Sequence, residues 1–131
     1  MYTPLLILEH DSFFLHKLDF KSILKSNYDI VGINSPATAT RRAHKFHDLI
    51  QENSAWIQPV PTIDDFNIPQ GLAGNSSYII KQAGAKNLLK AVKEYGLWPN
   101  DAIMCKQLIP RLGVTKKYFT RVQGLPSTTV N

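Results

Sequence analysis

The sequence predicts an α/β domain in which short strands alternate with amphipathic helices. Short apolar runs bounded by turn residues recur along the chain, as is typical of buried strands. Residues 38–52 and 82–95 carry apolar side chains at helical spacing. Elements that alternate in this way pack as layers around one core, so we expect a single domain over residues 1–124 with a loose tail over residues 125–131.

The first half of the chain is predicted to contain two strands and two helices. The apolar run at residues 4–8 predicts a strand, and residues 19–25 predict a short helix or a turn. Residues 28–33 are rich in β-branched side chains and predict a second strand, which Asn34-Ser35-Pro36 ends. The helix over residues 38–52 follows. Its apolar positions are Ala43, Phe46, Leu49 and Ile50.

The second half begins with a long connection over residues 53–74, which holds three prolines and one short strand piece near Trp56-Ile57. A loop of this length in a compact domain is usually functional or mobile. We then expect a strand at residues 77–80 and a helix at residues 82–95 that Gly96 ends. The last predicted elements are a helix that starts near Asp101 and ends at Pro110, and a strand at residues 117–122.

Composition limits the compartment and the class of partner. The net charge is +5, from 15 basic and 10 acidic residues, but the basic residues are dispersed, which favours a role in solubility over a polyanion-binding patch. No apolar run approaches the roughly 20 residues that span a membrane. The first residues do not resemble a secretory signal, and the single cysteine excludes an internal disulfide. We therefore expect a cytoplasmic protein.

An acidic pair follows the first predicted strand. Glu9 and Asp11 come directly after Leu5-Leu6-Ile7-Leu8, and residues two apart on an extended chain point to the same side. Two carboxylates at a strand end can hold Mg²⁺ or Mn²⁺ together with phosphate oxygens. A solvated acidic turn, which is the more frequent meaning of such a pair, explains the same residues and stays open.

Further polar groups precede the strand at residues 77–80. Asn75-Ser76-Ser77 offers donors and acceptors suited to sugar hydroxyls, or to capping a turn. His44 and His47 lie three residues apart on a predicted helix without an evident third metal ligand, which favours an ordinary surface face. Cys105 is expected to be a buried structural thiol.

Several segments together carry a resemblance to a known family. They are Leu6-Ile7-Leu8-Glu9-His10-Asp11, Gly74 to Ile80, Gly84-Ala85-Lys86-Asn87-Leu88-Leu89 and Pro99-Asn100-Asp101. Their order and spacing resemble glycosyltransferase family 25, which includes lipopolysaccharide and collagen-type sugar transferases. The resemblance covers about residues 4–105. His10 stands where the family has an aspartate, and histidine is a poorer ligand for Mg²⁺ than for Mn²⁺.

The resemblance implies an A-type nucleotide-sugar transferase fold, Rossmann-like and layered, which here lacks the family's N-terminal third. It implies Mn²⁺ or Mg²⁺ at Glu9 and Asp11. It also implies Asp101 as the catalytic residue that takes the acceptor hydroxyl's proton or stabilises positive charge on the sugar, although an acid favoured by the helix dipole in a first turn explains Asp101 as well. A nucleotide-sugar donor and a glycan or lipopolysaccharide-type acceptor are the implied partners. Asn75, Ser76, Ser77 and Tyr78 are the implied substrate-binding residues.

Two alternatives belong to other functional classes. The shortened N-terminus and an exposed edge strand fit a non-catalytic module that assembles into a homo-oligomer or with a partner chain. The alternating segment Lys117-Tyr118-Phe119-Thr120-Arg121, with Lys116 before it, fits a basic nucleic-acid-binding strand, although an ordinary strand explains it equally well.

Overall fold

The computed structural model describes residues 3–37, 42–63, 71–96 and 103–123, and these form the predicted mixed α/β structure. The strands in these ranges are β1 (Leu5–Leu8), β2 (Ser12–Phe14), β3 (Ile30–Gly32), β4 (Ile57–Pro59), β5 (Ser77–Ile80), β6 (Leu112–Thr115) and β7 (Thr120–Val122). The helices are α1 (Phe20–Lys25), α2 (Ala43–Glu52) and α3 (Gln82–Tyr95). The predicted tail lies outside the described residues.

A five-stranded sheet with the order β1-β5-β3-β6-β4 forms the centre of the fold. Strands β3 and β6 pair in parallel, whereas the other neighbours pair antiparallel. Consequently β1, β3 and β6 run in one direction and β4 and β5 run in the other. The last residues of β1, β3 and β6 therefore meet the first residues of β4 and β5 at one edge of the sheet, which we call the carboxyl edge.

The sheet separates two apolar clusters because successive strand residues face opposite sides. Helices α2 and α3 cover one face, where Ile30, Ile80 and Leu112 belong to the larger cluster. Helix α1 and Phe119 cover the other face, where they pack with Val31 and Ile79. Both faces are thus buried at β3 and β5, which explains why these strands are mostly apolar.

Helix α3 lies unusually close to the sheet at Gly84. A Cβ atom at this position would lie 2.6 Å from the carbonyl oxygen of Asp29 and 2.6 Å from Cγ1 of Ile30. The same carbonyl accepts a hydrogen bond from Lys81 N at 2.9 Å, just before the helix starts. Gly84 therefore permits the contact that fixes α3 against β3.

Most predicted elements are confirmed, but two strands were missed and one predicted helix is wrong in part. Strand β6 was not predicted, although it lies inside the sheet, and neither was β2. The predicted helix ending at Pro110 is wrong over its described second half. Residues 104–109 form bends and turns there, and the backbone of Cys105 makes an isolated antiparallel β-bridge with Gly71. Cys105 is buried, as predicted.

Among the described residues, no helix combines the length and the apolar character that crossing a membrane requires.

Candidate functional site

The carboxyl edge gathers polar segments from distant parts of the sequence. After β1 the chain turns, with Ser12 N donating to Glu9 O at 3.0 Å. The carbonyl oxygen of Ser76 accepts from Glu9 N at 2.8 Å and from Ser12 Oγ at 3.2 Å. The acidic turn is thus hydrogen-bonded to Ser76, the residue just before β5. These bonds hold Glu9 and Ser12 against Ser76, the residue that follows Asn75.

The acidic pair differs in geometry from the sequence-based expectation. Residues 9–12 form a turn rather than an extended chain, so the side chains are not placed by strand alternation. Glu9 is exposed, whereas Asp11 is only 8% exposed. Asp11 is held from a second direction, because its carbonyl oxygen accepts a hydrogen bond from Gln123 N at 3.0 Å. The main chain that carries Asp11 is therefore fixed, which favours cation binding over a carboxylate on a mobile turn.

Asn75 is the most unusual residue at this edge. Its φ of 42° lies in the left-handed region, which only glycine adopts freely, and Gly74 before it has a φ of 78°. Its side-chain oxygen Oδ1 is buried and has no hydrogen-bond partner among the described residues. A buried acceptor without a partner costs about 1–3 kcal/mol. Strain and an unsatisfied oxygen at one residue are typical of a position shaped for a ligand.

Asn34 fixes the loop that carries Asn75. Asn34 follows β3 and is buried, and its amide Nδ2 donates to Ala73 O at 2.9 Å and to Ser35 O at 3.2 Å. Ser35 N in turn donates to Thr120 O at 2.8 Å. The ends of β3 and the start of β7 therefore hold the Ala73–Asn75 loop from the side opposite the acidic turn.

The other predicted substrate-binding residues are more buried than Asn75. Ser76 and Ser77 are buried, and the hydroxyl of Ser77 pairs with that of Thr120. Tyr78 belongs to the larger apolar cluster, and its burial raises the pKa of its phenol. Asn75 is thus the member of this group with an unpaired polar atom. The binding role of the four residues stays a prediction.

Asp101, the predicted catalytic residue, lies outside the described residues. Within the described residues, no three histidine, cysteine or acidic side chains form a group that could hold a metal ion. A cation at this edge would therefore rely on Glu9 and Asp11, on the amide oxygen of Asn75, and on oxygens of its own ligand. Such an all-oxygen set suits Mg²⁺ or Mn²⁺.

A pocket beside the carboxyl edge was not predicted from the sequence. It has a volume of about 330 Å³ and is lined by Ser35, Ala37, Ala43, His44, His47 and Tyr118. His47 Nδ1 lies 2.7 Å from the Tyr118 hydroxyl, so His47 is not the ordinary surface residue that its helical spacing predicted. His44 fits that prediction better, because it is highly exposed and pairs with Asp48 at 3.3 Å.

Comparisons with protein-family models, with curated proteins and with solved structures found no match for this chain. The candidate site therefore rests on the chemistry of its own residues.

Replacement of Asn75 tests whether this residue destabilises the folded protein. Asn75→Gly removes both the positive-φ strain and the unpaired oxygen, so we expect the free energy of unfolding to rise by about 1 kcal/mol. Asn75→Ala removes the oxygen but keeps the strain, so it should be less stable than Asn75→Gly. Urea unfolding of the three proteins measures this order. A glycine variant less stable than the parent would contradict a strained, ligand-shaped Asn75.

Proposed function

We propose that this chain is a glycosyltransferase-like protein that binds a nucleotide-sugar donor through a divalent metal at Glu9 and Asp11. The observation that carries the proposal is the buried Oδ1 of Asn75, which has no hydrogen-bond partner among the described residues and lies one residue from the Ser76 carbonyl that holds the acidic turn. The resemblance of the motif order to glycosyltransferase family 25 supports it. The α/β class and the polar groups at the carboxyl edge agree with the proposal. Only β3 and β6 pair in parallel, however, whereas the sheet of a doubly wound nucleotide-binding fold is mostly parallel.

The transfer places clear demands on such a site. The acceptor hydroxyl oxygen forms a bond to the anomeric carbon while the bond from that carbon to the diphosphate oxygen breaks. The electron pair leaves with the diphosphate, and the hydroxyl proton goes to a base, for which the resemblance implies Asp101. A bound Mn²⁺ or Mg²⁺ would neutralise charge that develops on the diphosphate. Asp11 and Asn75, held in place by hydrogen bonds to their backbone neighbours, would fix its position without reorganisation.

Thermal unfolding tests the proposal. The protein is heated with Mn²⁺ alone, and with Mn²⁺ plus UDP, GDP or CMP. Binding to the folded state raises the unfolding temperature, by an amount equivalent to about 2.7 kcal/mol at a hundredfold excess over Kd. We expect a rise with one nucleotide that requires the metal and is reversed by EDTA. The absence of a metal-dependent rise with every nucleotide would overturn the proposal.

A non-catalytic assembly module is the second candidate, and one observation favours it. Strand β1 pairs with β5 on one side and lies at the edge of the five-stranded sheet. Leu5, Ile7 and Leu8 on this strand are 57%, 38% and 42% exposed. An apolar, unpaired edge is a template for pairing with another strand. Antiparallel pairing of β1 with β1 of a second copy would bury these residues about a two-fold axis.

Ile7→Lys tests the oligomer. We expect the parent to elute as a dimer in size-exclusion chromatography with light scattering, and the variant to be a monomer, because a charge at the pairing edge opposes strand addition. Leu89→Lys is the matched control, since Leu89 is 69% exposed but lies on α3 rather than at the edge. A parent that is monomeric at all concentrations would contradict the assembly module.

The nucleic-acid alternative loses its main support. Phe119, one of the two aromatic residues in the basic segment, is 2% exposed and belongs to the core, so it is not available to stack on bases. The ammonium group of Lys117 lies over the Phe119 ring, 5.9 Å from its centroid. These residues are therefore used within the fold.

A further inference from the structure

The pocket lined by His47 and Tyr118 is a half-open depression whose walls come from three places in the chain. Ser35 follows β3, the two histidines lie on α2, and Tyr118 follows β6. Parallel pairing of β3 with β6 brings these ends together. The rings of His47 and Tyr118 lie 5.5 Å apart and are inclined by 51°, so they form a corner rather than a stack. The pairing of β3 with β6 therefore places these residues together.

The chemistry of the pocket suits a neutral, hydroxyl-rich ligand. Aromatic and methyl groups from Tyr118, Ala37 and Ala43 supply an apolar wall, whereas imidazole and hydroxyl groups supply hydrogen bonds. The Ser35 hydroxyl accepts from Ala37 N at 3.4 Å and keeps its own proton to donate. A volume of about 330 Å³ is at the lower end of the range for ligand sites, which suits one sugar ring.

The pocket and the acidic turn both lie at the carboxyl edge, but they belong to different strands of the sheet. Asn34, next to Ser35, donates to Ala73 O at 2.9 Å, and the chain continues through Gly74 to Asn75. The acidic turn follows β1, and the pocket lies at the ends of β3 and β6, two and three strands away in the sheet. Since neighbouring strands are about 4.8 Å apart, this separation is roughly 10–15 Å.

We propose that the His47–Tyr118 pocket is an acceptor subsite, which holds one sugar ring of the acceptor glycan. This inference rests on the proposed function, because it takes the acidic turn as the donor site. The separation of roughly 10–15 Å leaves room between the two sites for the diphosphate and the sugar of the donor.

The four histidines of the chain provide separate reporters for the two sites. His10 lies inside the acidic turn, His44 and His47 line the pocket, and His16 is exposed elsewhere. A protein labelled with ¹³C-histidine gives four imidazole signals, which single histidine substitutions assign. Mn²⁺ with the nucleotides tests the donor site through His10, and oligosaccharides selected on a printed array of bacterial and animal glycans test the pocket through His47.

We expect a retained oligosaccharide to shift the His47 signal. Mn²⁺ should broaden His10 strongly and His47 far less, in keeping with their separation. A glycan that binds without moving His44 or His47, or an array on which no glycan is retained, would overturn the subsite. A normal His47 response with no metal or nucleotide effect at His10 would instead overturn the donor site and leave a sugar-binding pocket.

Variants of the pocket complete the test. Tyr118→Ala should weaken oligosaccharide binding at least tenfold while leaving the Mn²⁺ effect on His10 unchanged. Tyr118→Phe keeps the ring and removes only the hydroxyl that contacts His47. This variant tests the pocket if the alanine variant does not fold. Tyr95→Ala, on an exposed tyrosine at the end of α3, is the matched control and should bind as the parent does. Equal loss in the control would contradict the assignment.

Discussion

Asp11→Asn is expected to abolish the metal-dependent rise in unfolding temperature that the proposed donor site produces. The substitution keeps the size of the buried side chain and removes its charge, so a divalent cation loses an anionic ligand in a shielded position. At a hundredfold excess of nucleotide over the parent Kd, the loss corresponds to about 2.7 kcal/mol of ligand-induced stabilisation. Thermal unfolding with Mn²⁺ and the responsive nucleotide measures it.

A distant carboxylate provides the control for this experiment. Glu52 is exposed at the last position of α2 and is not part of the acidic turn, so Glu52→Gln should keep the full rise. Calorimetric titration of Mn²⁺ in the presence of nucleotide gives an independent value of the affinity. Unchanged metal-dependent binding in Asp11→Asn would remove Asp11 from the site even if the nucleotide itself binds.

Gly84→Val is expected to reduce the free energy of unfolding by about 3 kcal/mol or more, because the new atoms have no space. The Cβ alone would lie 2.6 Å from a backbone carbonyl oxygen that already accepts the Lys81 N–H bond, so relief requires α3 to move away from β3. Gly84→Ala should cost less, since a gain in helix propensity of about 1 kcal/mol partly offsets the clash. Urea unfolding gives both values.

The neighbouring position tests whether the effect comes from the contact or from the helix. Ala83 is exposed on the same turn of α3, so Ala83→Val should lower the free energy of unfolding by less than about 1 kcal/mol, through helix propensity alone. Similar losses at positions 83 and 84 would mean that the close approach of α3 to β3 does not limit the residue at Gly84.

The elements that the sequence predicted well are those whose signal is local. Strands β1 and β5 are apolar runs between turn residues, and α3 has a helical stripe that ends at Gly96. Strand β6 lacks such a signal, because Gly113 lies inside it and glycine is depleted from strands. The structure gives the reason for this glycine. A Cβ there would lie 2.6 Å from the Tyr28 ring, a contact between residues far apart in the sequence.

The candidate site was predicted only in part, because some of its features are local in the sequence and others depend on contacts between distant residues. The acidic pair and the polar segment at Asn75 are visible in the sequence, but their fastening through Ser76 O depends on the pairing of β1 with β5. The strain at Asn75 has no signal in residue type alone, since asparagine also occurs in ordinary turns. His47 and Tyr118 are 71 residues apart, and only the parallel pairing of β3 with β6 unites them.

Strands β2 and β7 pair antiparallel in a small sheet of their own, which has a consequence for the acidic turn. It joins Ser12 to Val122, and the same strand end holds the Asp11 carbonyl through Gln123. Contacts between residues so distant in the chain require a long loop to close, which slows folding. Opening of β7 would loosen the acidic turn while the five-stranded sheet stays intact. Conditions that open β7 should therefore weaken ligand binding and speed hydrogen exchange at the β7 amides, while exchange of the core amides stays unchanged.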